Sequence, residues 1–310
     1  MPQANNMSKV LVTGGAGFIG SHIVDRLISD GHEVVLIDNL ATGKRENLNP
    51  RAEFHEADIS NYDSIKDLFN GVDAVFHTGA LARLTPSVKN PLPAHASNVT
   101  GTLNVLWAAH NSGVKKLIFS STSSLYGDRD PSDYPLKETL SVHFKSPYSA
   151  QKLMGEQYCK LFSQIYDLPT VILRYFNVYG PRQITEGSYA TVVGIFLKQR
   201  EKGEPMTIVS DAGERRRDYT HVSDIAEGNI LAWKKEVPPA EIINLGRGKN
   251  YSVNEVAALI GGPTTKVDAR PWDAAITLAD NSKAKNMLGW EPKVSFEDGI
   301  AELKKLHGIV

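Results

Sequence analysis

The chain has 310 residues, of which 41% are hydrophobic and 22% charged, and its formal net charge is −1. This length can bury a large core in one big domain or two coupled ones, and the balanced charge gives no reason to expect nucleic acid or an anionic membrane as a partner. The single cysteine, Cys159, excludes a disulfide framework and a cysteine-rich metal site, and no metal site is predicted. No apolar run approaches the roughly 18 residues that span a bilayer, and the polar N-terminus favours a cytoplasmic protein.

Apolar runs rich in β-branched residues alternate with helical patterns over the first 180 residues. The alternation predicts a parallel sheet with right-handed crossovers, helices on both faces, and ligands at the carboxyl ends of the strands. The fold class is therefore α/β, with a Rossmann-type doubly wound sheet. The predicted strands are Lys9–Thr13, Glu33–Asp38, Ala52–Glu56, Ala74–His77, Lys116–Ser121 and Thr170–Arg174.

Beyond residue 180 the pattern changes to helices separated by loops, which predicts a smaller, mostly helical C-terminal domain. We expect residues 1–180 to form the first domain, 219–245 to return to its sheet, and 181–218 with 246–310 to form the second. The predicted elements there are helices at Thr191–Glu201, Val253–Ile260, Ser282–Leu288 and Phe296–Leu306 and strands at Met206–Val209 and Glu241–Leu245.

A glycine-rich turn, Thr13–Gly20, directly follows the first strand. A strand that ends in glycines and restarts as a helix lets the backbone approach a pyrophosphate and aims the positive helix N-terminus at it. Eighteen residues further on, the second strand ends in Asp38, where a dinucleotide-binding unit places an acid on the adenosine ribose. Asp38 would repel a 2′-phosphate, which favours NAD over NADP. A plain tight turn is the alternative for the glycines alone.

Tyr148 and Lys152 lie one turn apart on a helix whose start is fixed by Pro147. A tyrosine is a poor base at neutral pH, and a nearby ammonium stabilises its phenolate. The spacing alone also occurs by chance in many helices. A strand that ends in hydroxyl residues, among them Thr122, adds an O–H donor at the edge where ligands bind.

Five motifs together resemble the extended short-chain dehydrogenase/reductases of the NAD-dependent epimerase/dehydratase family, and most closely its UDP-hexose 4-epimerases. They occur in the family's order and span nearly the whole chain. They are Thr-Gly-Gly-Ala-Gly-Phe-Ile-Gly at 13–20, Ser-Ser-Thr-Ser-Ser-Leu-Tyr-Gly-Asp at 120–128, Ser-Pro-Tyr-Ser-Ala-Gln-Lys at 146–152, Arg-Tyr-Phe-Asn-Val-Tyr-Gly-Pro-Arg at 174–182 and Arg-Asp-Tyr-Thr-His-Val-Ser-Asp at 217–224.

The resemblance implies a role for each matching residue. Tyr148 would be the general base and acid, Lys152 its electrostatic partner and a ribose ligand, and Thr122 the hydroxyl that bonds the reacting C4 oxygen. The other NAD-site residues would be Gly14, Gly17, Phe18, Ile19, Gly20, Asp38, Asn39, Asp58, Ile59, Ala80, Leu81, Asn98 and Phe176. Asn177, Arg217 and Arg270 would hold the diphosphate and uridine of a UDP-sugar.

Departures from the family pattern leave alternatives open. Arg83 stands in a loop that faces the sugar, which leaves an acidic hexose as an alternative substrate. A 4,6-dehydratase would carry Asp-Glu after Thr122, where this chain has Ser123-Ser124. A UDP-glucuronate decarboxylase would carry glutamate at position 124. A non-catalytic NAD(H) sensor is the alternative from another class, although it would not need Thr122, Tyr148 and Lys152 together.

Thr277 is expected to border the C2 group of the hexose, seven positions after Arg270. In the family a bulky tyrosine there confines the enzyme to plain hexoses, whereas a small residue admits an N-acetyl group. The resemblance therefore implies UDP-N-acetylglucosamine and UDP-N-acetylgalactosamine as substrates, with UDP-glucose and UDP-galactose as candidate additional ones.

Two helical segments carry more apolar residues than one packed face needs, and the resemblance implies a homodimer that pairs them across a two-fold axis. The alternative is that both segments simply cover the sheet. Their apolar residues are Val99, Leu103, Leu106, Trp107, Leu153, Met154, Tyr158, Leu161, Phe162 and Ile165.

Overall fold

The computed structural model describes residues 7–82, 84–187, 190–209, 215–267 and 276–309. The strands, in chain order, are β1 (Lys9–Thr13), β2 (Glu33–Asp38), β3 (Glu53–Glu56), β4 (Ala74–His77), β5 (Lys116–Thr122), β6 (Thr170–Tyr175), β7 (Val178–Tyr179), β8 (Met206–Val209), β9 (Arg216–Asp218), β10 (Thr220–His221), β11 (Glu241–Leu245), β12 (Asn250–Ser252) and β13 (Thr264–Val267).

The α-helices, in chain order, are α1 (Phe18–Ser29), α2 (Tyr62–Ile65), α3 (Leu84–Lys89), α4 (Pro91–His95), α5 (Gly101–Asn111), α6 (Pro147–Ile165), α7 (Val192–Glu201), α8 (Val222–Lys234), α9 (Val253–Ile260), α10 (Ser282–Leu288) and α11 (Phe296–Leu306). A π-helical turn, Ala96–Thr100, joins α4 to α5. Within the described ranges, no helix is both long and apolar enough to cross a membrane.

The central sheet has seven parallel strands in the order β11-β6-β5-β4-β1-β2-β3. The predicted fold class is confirmed. The strand order reverses between β1 and β4, and such a switch point opens a crevice at the carboxyl ends of the strands. β11 pairs with β6 at one edge, so residues 241–245 lie in the main sheet.

Each face of the sheet packs on its own layer of helices. Ile23 of α1 and Ile225 of α8 lie in the core of one face, and Leu106 of α5 and Phe162 of α6 lie in the core of the other. Because β5 is buried on both sides, its residues read as a continuous apolar run rather than an alternating one. A third core, built by α7, α9 and α11, lies in the C-terminal region.

The apolar residues of α5 and α6 divide between two surfaces. Leu106 and Phe162 are buried in the sheet-facing core. Val99, just before α5, is also buried. The large apolar side chains that stay exposed on these helices are Trp107, Met154, Leu161 and Ile165. The extra apolar surface is therefore real, but smaller than the sequence pattern suggests.

Candidate active site

A cavity of about 860 Å³ opens at the carboxyl ends of the central strands and extends to the C-terminal region. Its volume lies in the upper range for ligand sites. Most of the predicted site residues line it: Gly14, Gly17, Phe18, Ile19, Gly20, Asp38, Asn39, Asp58, Ile59, Ala80, Leu81, Thr122, Tyr148, Lys152, Asn177, Arg217 and Thr277. Residues far apart in the chain thus meet around one space.

The turn between β1 and α1 presents bare backbone to the cavity. Gly14 has φ +70°, and a Cβ atom there would lie 2.7 Å from the Cα of Gly79. A methyl group on Gly20 would overlap the carbonyl oxygen of Gly14. Helix α1 starts at Phe18, so its first N–H groups, which have no partner within the helix, face this space. The turn therefore has the exposed backbone and the free N–H groups that a pyrophosphate requires.

Asp38 lines the cavity at the end of β2. Its carboxylate accepts hydrogen bonds from the backbone N–H of Ala16 (3.0 Å) and of Leu40 (2.8 Å), which fix it at the end of β2. Burial raises the pKa of Asp38, and these backbone donors oppose that rise. Beside it, the amide of Asn39 donates to Asp58 (2.9 Å). A carboxylate held in this way suits the ribose hydroxyls of NAD.

Asn98 is fully buried behind the cavity wall, on the π-helical turn. Its amide accepts from the backbone N–H of Leu81 (2.8 Å) and donates to the Leu81 carbonyl (3.1 Å) and to Gln151 (3.0 Å). Its observed contacts thus hold Leu81, which lines the cavity, in place. Phe176 is also fully buried and packs with Tyr126.

Tyr148 and Lys152 are placed by the N-terminus of α6. The Ser146 hydroxyl accepts from the backbone N–H of Ser149 (3.2 Å) and caps the helix, with Pro147 at its first position. The Lys152 ammonium donates to the carbonyl of Ser120 (2.8 Å) and lies 4.9 Å from the centre of the Phe119 ring. Burial lowers the pKa of Lys152 from its usual value to about 8.

Thr122 stands where β5 ends and belongs to a chain of hydroxyl groups. Its hydroxyl donates to Ser124 (3.0 Å) and accepts from the Ser124 backbone N–H (3.1 Å). Ser149, next to Tyr148 on α6, donates to the same Ser124 hydroxyl (3.0 Å). These contacts link the end of β5 to the helix that carries the candidate base. The sequence pattern singled out Thr122 and did not predict this role for Ser149.

Asn177 and Thr277 meet at the opposite end of the cavity. The Asn177 amide donates to the Thr277 hydroxyl (2.8 Å) and to the carbonyl of Asp218 (3.0 Å), and the Asp218 backbone N–H donates to the same Thr277 hydroxyl (3.0 Å). Arg217 lines the wall beside them. Arg270 and Arg83 lie outside the described residues, so their predicted roles stay predictions.

Asp218 follows Arg217 in one of the sequence motifs, but the sequence analysis predicted no role for it. It is fully buried, and its carboxylate accepts from three backbone N–H groups, those of Arg247 (2.8 Å), Gly248 (2.9 Å) and Ala279 (3.0 Å). Burial raises its pKa to about 6. Asp218 thereby joins two loops that frame the Thr277 wall.

The three consecutive arginines at 215–217 separate in space. Arg215 and Arg217 both line the cavity. Arg216 instead donates to Asn250 (2.9 Å) and pairs with Glu255 (3.0 Å). Arg215, which directly precedes β9, thus lies on the cavity wall, and Arg216 points to other partners.

Comparisons with known proteins agree with this geometry. A family model described as NAD dependent epimerase/dehydratase family matches residues 10–246. The chain belongs to this family. A putative UDP-glucose 4-epimerase of Methanocaldococcus jannaschii is 38% identical over 301 residues, which cover 94% of this chain and 95% of the relative.

Two solved structures share the fold over nearly the whole chain. The UDP-glucose 4-epimerase of Thermotoga maritima with UDP-glucose has a TM-score of 0.91 at 40% identity and covers 96% of this chain and 97% of its own. The UDP-N-acetylglucosamine 4-epimerase of Methanobrevibacter ruminantium, in complex with UDP-N-acetylmuramic acid, has a TM-score of 0.91 at 38% identity with the same coverage.

These matches confirm three predictions: the family, the cofactor NAD, and an isomerase rather than a non-catalytic NAD(H) sensor. NAD fits the glycine turn and Asp38 as described above. Within the described residues, no cluster of three or more His, Cys, Asp or Glu side chains could hold a metal ion.

Proposed function

We propose that the protein interconverts C4 epimers of a UDP-hexose, with UDP-N-acetylglucosamine and UDP-N-acetylgalactosamine as one substrate pair and UDP-glucose and UDP-galactose as candidate additional substrates. One observation carries the proposal. Thr122, Tyr148 and Lys152 line the same cavity as Asn177 and Thr277, so an oxidising centre and a sugar-binding wall share one space.

In this proposal Tyr148 takes the proton of the C4 hydroxyl as the C4–H bond breaks, and the sugar becomes a 4-ketone. Thr122 turns its O–H from Ser124 to the C4 oxygen and donates a hydrogen bond there. The ketone turns over, a hydride returns to its opposite face, and Tyr148 gives the proton back, so no net oxidation results. Bound NAD supplies the hydride acceptor and donor. The Lys152 ammonium stabilises the phenolate, and its buried setting strengthens that attraction.

The two regions contribute different residues to the cavity wall, and each is assigned its own ligand. We propose that residues 1–180, with 219–245, hold NAD through Gly14, Gly20 and Asp38. Residues 181–218 and 246–310 hold the nucleotide sugar through Arg217 and Thr277, which lie on the C-terminal side of the cavity. Asn177, near the end of the first region, joins the two regions through its bonds to Asp218 and Thr277 of the second.

Tyr148→Phe tests the reaction itself. The variant keeps the ring and loses the proton acceptor, so turnover of UDP-glucose and UDP-N-acetylglucosamine should fall by at least ~100-fold while NAD affinity stays within a few-fold. Separation of the C4 epimers after incubation with a panel of nucleotide sugars gives the rates. Near-wild-type turnover by the variant would contradict the assignment of the base.

Thr277→Tyr tests the sugar. The larger side chain should abolish turnover of the acetylated substrate and leave NAD binding intact, because the acetamido group needs the space that threonine leaves. Thr277→Val is the matched control, since it keeps the size and removes the hydroxyl that accepts from Asn177 and Asp218. If Thr277→Tyr turns over the acetylated sugar normally, Thr277 does not border the C2 group.

UDP-glucuronate decarboxylation is the competing reaction of the family. The resemblance puts a glutamate at position 124 in such enzymes, whereas Ser124 here is engaged by Thr122 and Ser149. Incubation with UDP-glucuronate should release no CO₂. Stoichiometric CO₂ release would replace the epimerase proposal by the decarboxylase.

We also propose a homodimer formed by α5 and α6. Trp107, Met154, Leu161 and Ile165 are large apolar side chains of these helices that stay 39–62% exposed. Burying these side chains against their own copies across a two-fold axis removes apolar area from water. Light scattering at micromolar concentration should give a dimer, and Ile165→Glu should shift it towards monomer. A monomeric wild type would contradict the proposal.

A further inference from the structure

A buried ion pair lies directly behind the candidate catalytic residues. Glu156 of α6 is fully buried, and its carboxylate accepts from Arg174 of β6 at Nε (2.9 Å) and Nη2 (2.8 Å). The same carboxylate accepts from the hydroxyl of Ser121 at 2.5 Å. The Arg174 guanidinium lies 4.9 Å from the centre of the Tyr126 ring. Ser121 lines the cavity one residue before Thr122.

Helix α6 is fastened to the end of β5 at three successive points. Ser149 donates to Ser124 (3.0 Å), Lys152 donates to the carbonyl of Ser120 (2.8 Å), and Glu156 accepts from Ser121 (2.5 Å). Positions 149, 152 and 156 lie on one helix face. Between them Gly155 leaves room for the Phe119 ring, which a methyl group there would overlap. Sliding the helix along the strand would break all three bonds.

A buried ion pair is a weak source of stability, because the cost of taking both charges out of water often exceeds their attraction. An apolar pair of similar volume would hold the helix on the sheet equally well. It would not orient the Ser121 hydroxyl or place a negative charge one helical turn from Lys152. These two effects distinguish a positioning role from simple packing.

The second effect, a negative charge near Lys152, depends on the ionisable groups that surround this side chain. Cys159 and Glu156 of its own helix and His77 of β4 interact electrostatically with Lys152. Its ammonium also lies against the Phe119 ring and the Ser120 carbonyl of β5. Burial lowers the pKa of His77 to about 3 and raises the pKa of the Cys159 thiol, so both are neutral near pH 7. Glu156 supplies negative charge to this environment.

We propose that Glu156, held by Arg174, is a positioning residue for the proposed epimerase centre: it fixes the end of β5 that carries Thr122 and keeps Lys152 protonated. The proposal rests on the function proposed above. Glu156 touches neither sugar nor cofactor. It acts through Ser121 and through the field at Lys152.

Glu156→Gln, in the NAD-loaded protein with UDP-glucose, tests the proposal. The amide has one acceptor oxygen and cannot accept all three hydrogen bonds from Ser121 and the two Arg174 nitrogens. We therefore expect kcat to fall by about 10- to 100-fold, while KM and NAD affinity stay within about threefold of the wild-type values. Loss of the negative charge should also move the alkaline limb of the pH–kcat profile to lower pH, because activity is lost as pH rises through the pKa of Lys152. An unchanged kcat and pH profile would overturn the proposal.

A double variant, Glu156→Leu with Arg174→Met, separates positioning from packing. It leaves no buried charge unpaired, so its melting temperature should return to or exceed that of the wild type. Its kcat should stay low. Recovery of both quantities together would show that the pair is only structural. Ser121→Ala should lower kcat several-fold, while Gln164→Ala, at an exposed position near the far end of the same helix, should change neither kcat nor the melting temperature.

Parallel assays of the wild type and Tyr148→Phe distinguish a failure of the proposed function from a failure of the positioning role. A wild type that converts no UDP-sugar contradicts the proposed function. The positioning role is then decided without sugar, by the ¹⁵Nζ resonance of Lys152, assigned through Lys152→Met. In Glu156→Gln that resonance should titrate at lower pH than in the wild type, and an identical titration would overturn the positioning role.

Discussion

Replacing Lys152 with methionine should stabilise the NAD-free protein while removing its activity. Lys152 is buried, and burial lowers its pKa from 10.5 to about 8. A difference of this size corresponds to about 3 kcal/mol of unfavourable free energy for the ammonium in the folded state. Methionine has a similar length and no charge. It also loses the bond to the Ser120 carbonyl and the contact with the Phe119 ring, which together offset about 2 kcal/mol.

The net gain should be about 1–2 kcal/mol at pH 7, and its sign depends on pH in a defined way. Because the folded-state pKa is the lower one, the cost of the charge is fully present below about pH 8. It is relieved as pH rises from 8 to 10.5, where the unfolded chain also loses its proton. The advantage of methionine should therefore shrink steadily over that interval.

Urea unfolding of both NAD-free proteins at pH 7 and at pH 9.5 measures the difference. Lys160→Met, which removes a half-buried lysine from the same helix, is the control and should stay within about 0.5 kcal/mol of the wild type at both pH values. A Lys152→Met protein that is less stable at pH 7, or a difference that does not change with pH, would refute the reasoning. Turnover should fall by at least ~100-fold.

Two predictions concern the cofactor side of the cavity. Gly20→Ala should raise the dissociation constant for NAD by at least ~10-fold in a fluorescence titration, because its methyl group overlaps the Gly14 carbonyl and the turn must open; unaltered affinity would place the pyrophosphate elsewhere. Asp38→Ala should weaken NAD more than NADP and change their affinity ratio by about tenfold, because it removes the charge that repels a 2′-phosphate; a ratio that stays constant in competition titrations would show that Asp38 does not face the ribose.

The sequence predicted those parts of the fold and site that depend on local chemistry. The strands of the central sheet were placed within one or two residues because all but β3, which reads Glu-Phe-His-Glu, contain an uninterrupted apolar run. Gly14, Gly20 and Asp38 could be assigned because a strand, a turn and a helix follow one another directly. Tyr148 and Lys152 share a helix face by spacing alone. In each case the neighbours that determine the geometry are neighbours in the chain.

Helix faces were harder to assign than helices. The apolar residues of α5 and α6 all follow a helical period, but Leu106 and Phe162 cover the sheet while Trp107 and Ile165 are exposed. A period of 3.6 residues shows that a helix has apolar stripes, but it does not show which stripe faces the sheet. That choice depends on the crossing of each helix over the strands, which the linear pattern does not contain.

The proposed specificity for the sugar depends on contacts that no local pattern reveals. Thr277 touches Asn177, 100 positions earlier, and the N–H of Asp218, 59 positions earlier. Its hydroxyl is thus occupied by two donors and holds the wall together, whereas its methyl side and small volume leave the space that the proposed substrate needs. A substitution at 277 therefore changes two things, the room for the C2 group and the bonds that position Asn177. The residue type predicts the first effect, and only the folded arrangement reveals the second, which is why Thr277→Tyr is informative only beside Thr277→Val.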